Sequence, residues 1–178
     1  PRARPRRRRR ARLMQATIAT LARFPQEIER CFLAIPPSHR DWTPASWEGV
    51  PSEPYSAIGQ LCHVRDIETD GYHLRFRRLL DEDRPFLPGV DGDALRVERR
   101  YGESDPADVL TAIRTARATT LALLESLDAA QLARRGDFDG YGPVTLRAMV
   151  HYLCSHDQQH LAGLYWLAGK IASEDANG

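Results

Sequence analysis

Cysteine is scarce in this chain: three in 178 residues, Cys31, Cys62 and Cys154, with no C-x-x-C pair among them. An odd and widely spaced set builds neither a disulfide framework nor a structural zinc site, so a reduced, cytoplasmic protein is expected. Long apolar runs are missing as well, and none approaches the roughly 18 residues of a membrane span. There is no Walker loop, no G-x-G-x-x-G opening a helix after a strand, and no Ser-His-Asp ordering, so nucleotide-dependent chemistry has no support. Period-two alternation is absent too, and no strand is expected. Beyond the N-terminus there is no low-complexity segment, and nowhere an internal repeat.

The first twelve residues, PRARPRRRRRAR, hold eight arginines and no apolar stretch, so they do not read as a secretory signal. Setting those arginines aside leaves 17 cationic side chains against 24 carboxylates, so a global charge of +1 hides an acidic body near −7. The reading is a disordered arginine-rich tail, residues 1–12, ahead of a single domain over 13–178. The sharper alternative is an arm for nucleic acid or another acidic partner. The tail lacks lysine and interleaved aromatics, and the acidic body argues against a nucleic-acid surface.

What is present is helical periodicity in a chain of 42 % hydrophobic residues, enough for one substantial core. A first helix is expected from Arg12 to Leu33, kinked or broken near Phe24 by Pro25. A loop with Trp42 and Trp47 covers one end of the core. A second helix runs from Pro54 to Leu80, with Pro54 in its first turn. The connection from Asp81 to Asp105 is unusually long, with one helical turn at Asp93 to Arg99. A crossover between helices running in the same direction would need such a length; a hairpin would not. Asp105-Pro106 caps a third helix. Gly136 to Pro143 reads as loop, and Thr145 as the cap of a last helix. The fold class is all-α, a bundle of four helices.

Steps of three and four along the last helix give Leu146, Met149, Leu153, His156, His160, Leu164, Leu167 and Ile171, one apolar stripe with two histidines inside it. Histidines one turn apart on a core face need partners for their nitrogens, and one metal ion serves both. Periodicity alone leaves open whether they hold metal or are satisfied core residues. His63 on the second helix would complete three imidazoles, an open catalytic pattern rather than a closed structural one. Asp70 falls near the face of His63 and is a candidate partner for its N–H. Arg117 on the third helix is a candidate for holding an anionic substrate group, or a solvated helix charge. Asp66 and Glu68 are expected on the flank.

Three segments together, YSAIGQLCHVRDIETDGYHLRFRRLL, RPFLPGVDGDALRVERRYGESDPADVL and TLRAMVHYLCSHDQQHLAGL, resemble the DinB-like (DinB/YfiT) superfamily of metal-binding bundles. The resemblance covers about Met14 to Ile171. It implies up-down-down-up order, with the crossover between helices two and three, and a divalent ion, Zn, Ni, Fe or Mn, on His63, His156 and His160. Many relatives carry Gln three residues after the last histidine; Gly163 stands there. The activities implied are a metal-dependent hydrolase or a transferase using a low-molecular-weight thiol, acting on a small molecule, with a homodimer possible. The alternative is a non-catalytic, stress-linked binding or dimerisation bundle. The family name refers to DNA damage and implies no DNA binding.

Overall fold

The computed structural model describes residues 3–175, with side chains from 9 to 174. Helix α1 spans Ala3–Ala34. The sequence places its start at Arg12 behind an irregular tail, but the helix begins at Ala3 and takes most of the arginines with it. Alanine and arginine are strong helix formers, and extending a helix whose later turns are packed needs no new nucleus. Pro1 and Arg2 lie outside the described residues. The helix also continues unbroken through Pro25. Leu21, Phe24 and Ile28 are fully buried on either side, and that packing outweighs one lost backbone hydrogen bond.

The second rod of the bundle is α2 (Ala57–Asp66), a π-helical stretch (Ile67–Tyr72) and α3 (His73–Asp81) in direct succession. It starts later than Pro54 because Ser56 is the cap, its Oγ accepting the Gly59 N–H at 3.4 Å. The crossover then carries β1 (Phe86–Leu87) and α4 (Gly92–Glu98), the single turn expected there. Helix α5 (Pro106–Ser126) opens on Asp105, whose Oδ1 accepts the Ala107 and Asp108 N–H groups at 2.8 and 3.2 Å.

Strands β2 (Arg135–Phe138) and β3 (Gly142–Thr145) follow, against the expectation of a loop. They pair antiparallel, while β1 adds to β2 in parallel, giving a small three-stranded sheet. Strands of two to four residues are too short to display an alternation. Their signal was the Asp139-Gly140 turn, where Gly140 takes φ 74°. Helix α6 (Leu146–Asp175) closes the chain, with Thr145 Oγ1 accepting the Ala148 N–H at 3.1 Å.

Helices α1, α2–α3, α5 and α6 form the four-helix bundle, in up-down-down-up order. α1 packs on α5 and α6, and α2 on the same two. No helix among the described residues is long and apolar enough to cross a membrane.

The core has two halves. One gathers Phe24, Ile28, Phe32, Leu61, Ile113, Leu164 and Leu167; the other gathers Leu21, Phe76, Leu79, Leu124, Leu146, Met149 and Leu153. On three of the four rods the change of half falls at polar residues: Asp66 and Glu68 on the second, Arg117 and Thr120 on α5, His156, Asp157 and His160 on α6. A polar layer therefore crosses the middle of the bundle.

Candidate metal centre

The α6 stripe is buried as its spacing requires, with His160 fully enclosed and His156 half-buried at a cleft. His63, on the buried face of α2, meets them. Its Nε2 lies 3.3 Å from His156 Nε2, which lies 3.1 Å from His160 Nε2. Nitrogens bound at about 2 Å to one ion stand roughly 3–3.5 Å apart, so the set has the dimensions of a metal site.

The hydrogen bonds around His160 fix its tautomer. The Gln60 amide nitrogen is surrounded by acceptors: Ser52 Oγ at 3.0 Å, the Glu53 carbonyl at 2.9 Å and the Tyr55 carbonyl at 3.2 Å. Its Oε1 must therefore accept, and it takes the Nδ1–H of His160 at 2.5 Å. That leaves the His160 Nε2 lone pair facing the cluster. Gly163 makes the arrangement possible, because a Cβ there would stand 2.3 Å from Ser52 Oγ and 3.4 Å from Gln60 Cδ. The space at Gly163 is thus the one into which Ser52 and Gln60 reach.

Glu53, on the loop before α2, brings a carboxylate to the same point. Its Oε2 is 3.3 Å from His160 Nε2, and its Oε1 is 4.0 Å from His63 Nε2. Glu53 Oε2 is buried and has no hydrogen-bond partner. Burial pushes all three imidazole pKa values below their usual range, that of His156 to about 3. Three neutral rings and an unpartnered carboxylate oxygen converge with more lone pairs than protons. A divalent cation satisfies such a donor set. No sequence periodicity pointed to Glu53 or Gln60; one lies in a loop, the other on a face that reads as core.

The site opens on a cleft of about 670 Å³ lined by Glu53, His63, Tyr72, Arg75, Phe138 and His156, among others. The crossover forms part of its wall: the backbone at Gly92 is so close to His63 that a Cβ would lie 2.6 Å from Cε1.

Asp70 is not at the centre. It is exposed and pairs with Arg99 at 2.7 Å. The wider π turn advances less per residue than an α-helix, so Asp70 falls short of the face of His63. Arg117 is neither solvated nor free for substrate. It is buried, with Nε and Nη2 each donating to Glu68 at 2.9 Å and Nη1 to the Leu21 carbonyl at 2.7 Å. Asp157 Oδ2 stands 2.8 Å from Arg117 Nη2, a close ion contact without hydrogen-bond alignment. Glu68 is thus interior rather than flanking, and so is Asp66, which accepts the Tyr101 hydroxyl at 2.7 Å and pairs with Arg99 at 2.9 Å. His151 and His73 bond to Thr17 and Thr120, away from the three-histidine cluster. Cys62 faces the Tyr101 carbonyl, and neither it nor Cys154 joins the cluster.

A family described as the DinB superfamily matches residues 20–164. Among solved structures the fold is similar to that of YfiT from Bacillus subtilis, described as a probable metal-dependent hydrolase with an unusual four-helix bundle topology. The identity is 22 %, the TM-score is 0.77, and the match covers 89 % of this chain and 87 % of that one. No curated protein matches the chain.

Proposed function

The chain belongs to the DinB superfamily, and from that premise we propose that it is a metal-dependent hydrolase of a small molecule, with one divalent ion on His63, His156 and His160. The observation that carries this reading is the convergence of three neutral imidazoles and the unpartnered Glu53 oxygen beside an open cleft. An ion held there would supply Lewis acidity to a substrate oxygen. Gln60 holds His160 in the tautomer that offers Nε2. Glu53 accepts a proton from an attacking water at its free oxygen. The aromatic and backbone walls of the cleft orient the substrate and limit the water that reaches it.

The same three ligands suit a thiol-dependent transferase, but a thiol on a metal is deprotonated without a base, and Glu53 then has no task. A non-catalytic bundle needs no cleft at the ligands.

The purified protein should carry close to one equivalent of divalent metal. Alanine at His63, His156 or His160 should remove it. Hydrolysis of a panel of small esters and amides should stop on chelation and return on adding metal back. A full equivalent retained by both the His156→Ala and His160→Ala proteins would sink the site; bound metal with no turnover across the panel would favour the non-catalytic bundle.

A further inference from the structure

The cleft contains a buried cation with no counter-ion. Arg75, on α3, is 3 % exposed and lines the same cleft as His63 and His156. Its Nε and Nη2 both donate to the Pro88 carbonyl of the crossover, at 3.0 and 2.9 Å. That bond holds the guanidinium still and leaves Nη1 without a partner. No carboxylate among the described residues pairs with it, whereas half-buried Arg65 and buried Arg117 each meet Asp or Glu. Burial lowers its pKa, and only tyrosines oppose that effect. A largely buried guanidinium whose one free nitrogen faces an open cleft is a ready place for an anion.

The surroundings narrow the anion. The Arg75 guanidinium carbon lies over the rings of Phe138, at 4.5 Å, and Tyr72, at 5.2 Å. The Tyr72 ring in turn stands 6.4 Å from that of His156, so Tyr72 neighbours both the cation and a metal ligand. Tyr141 stacks on Phe138 at 4.6 Å and meets Tyr152 at 4.9 Å, extending an aromatic wall. Besides Glu53 at the histidines, the cleft's charged groups are Asp91, Asp93 and Asp139, exposed carboxylates that repel a ligand of high negative charge.

We propose that Arg75 is the substrate-recognition cation, and that the cleft selects a small monocarboxylate with a flat apolar body, its carboxylate on Nη1 and its reacting group toward the histidines. The carboxylate site stands on Arg75 alone; only the position of the reacting group rests on the hydrolase reading.

Phenylacetate and its uncharged isostere phenylacetamide test it, titrated into the full-length protein both metal-loaded and chelated. The chelated arm excludes a carboxylate bound directly by metal. Wild type should prefer phenylacetate at least about tenfold in both arms, the scale of one charged hydrogen bond. Arg75→Gln should erase the preference, and Arg75→Lys should keep part of it. Should Arg75→Gln fail to fold, phenylglyoxal labelling read by peptide mapping replaces it. Phenylacetate, and not phenylacetamide, should then protect Arg75. A wild type with no preference, or one that binds neither probe, would overturn the proposal. So would an Arg75→Gln protein that keeps the preference, or labelling that neither probe slows. A preference intact in a protein that takes up no metal even when metal is supplied would overturn the hydrolase reading and leave this one standing.

Discussion

At the scale of single residues, the centre depends on side chains that never touch the cleft. Gln60 is fully buried, and its three N–H acceptors leave its oxygen one role, taking the His160 proton. Gln60→Leu removes that acceptor in a site of nearly the same volume. His160 can then carry its proton on Nε2, the atom the metal needs. Metal affinity should fall by about 10–100-fold, the usual loss when the partner of a ligating histidine is removed. Equilibrium dialysis against a competing chelator measures it; unchanged affinity would mean the tautomer is set elsewhere. His156 and His160 were legible because a helix repeats its faces, and a pair at i, i+4 inside an apolar stripe stands out; His63 fell on the flank of its helix, and its place beside them rested on the family resemblance. Gln60 and Glu53 were not legible. A buried glutamine at a core position resembles a packing choice, and the placement of Glu53 depends on how a loop folds back across the end of α2.

At the scale of elements, the polar layer ties three rods together through Arg117. Its guanidinium joins Glu68 of the π-helical stretch, Asp157 of α6 and the Leu21 carbonyl of α1. Removing a shared partner strands the rest. Arg117→Leu leaves Glu68 buried without its cation and Asp157 without the group it contacts, a loss of about 3–5 kcal/mol by the behaviour of broken buried pairs. Chemical denaturation should show it as a lower midpoint with an unchanged slope; a cost below 1 kcal/mol would mean that the layer is rearranged or wetted at little expense. The four rods and the crossover were legible from length and periodicity. The π-helical stretch and the three short strands were not. One differs from an α-helix only in hydrogen-bond register; β2 and β3 are too short to alternate, and β1 depends on pairing with a segment some fifty residues away, Phe86 with Asp137.

At the scale of the whole molecule, the buried histidines couple folding to pH. Their folded pKa values lie below the usual value near 6.5, so below that pH the unfolded chain takes up protons that the metal-free fold refuses. Stability is therefore complete above about 6.5 and declines as the pH falls. Asp157 works the other way, since burial raises its pKa to about 8 and the folded carboxyl binds a proton that the unfolded one releases above about 4. Three groups against one let the histidines set the net trend as the pH falls below about 6.5. Thermal melts of the chelated protein should fall steadily from pH 7 to pH 5, and saturating metal should raise the melting temperature at both. A melting temperature that is flat or rises toward pH 5 would contradict the burial of neutral rings. The sequence alone suggests that metal binding weakens near pH 6.5; the same burial moves that loss to lower pH.

The backbone at Gly92 that presses on His63 belongs to the crossover, while all three histidines belong to the bundle. The division has an evolutionary consequence. The rods that carry the ligands are fixed by their cores and tolerate little change. A surface connection can lengthen, shorten or trade side chains at small thermodynamic cost. Descendants of such a chain can therefore drift in the shape they admit while keeping what they do to it, and crossovers exchanged between two relatives should carry with them the size and shape preference set by that wall, leaving the metal and the carboxylate preference of Arg75 behind.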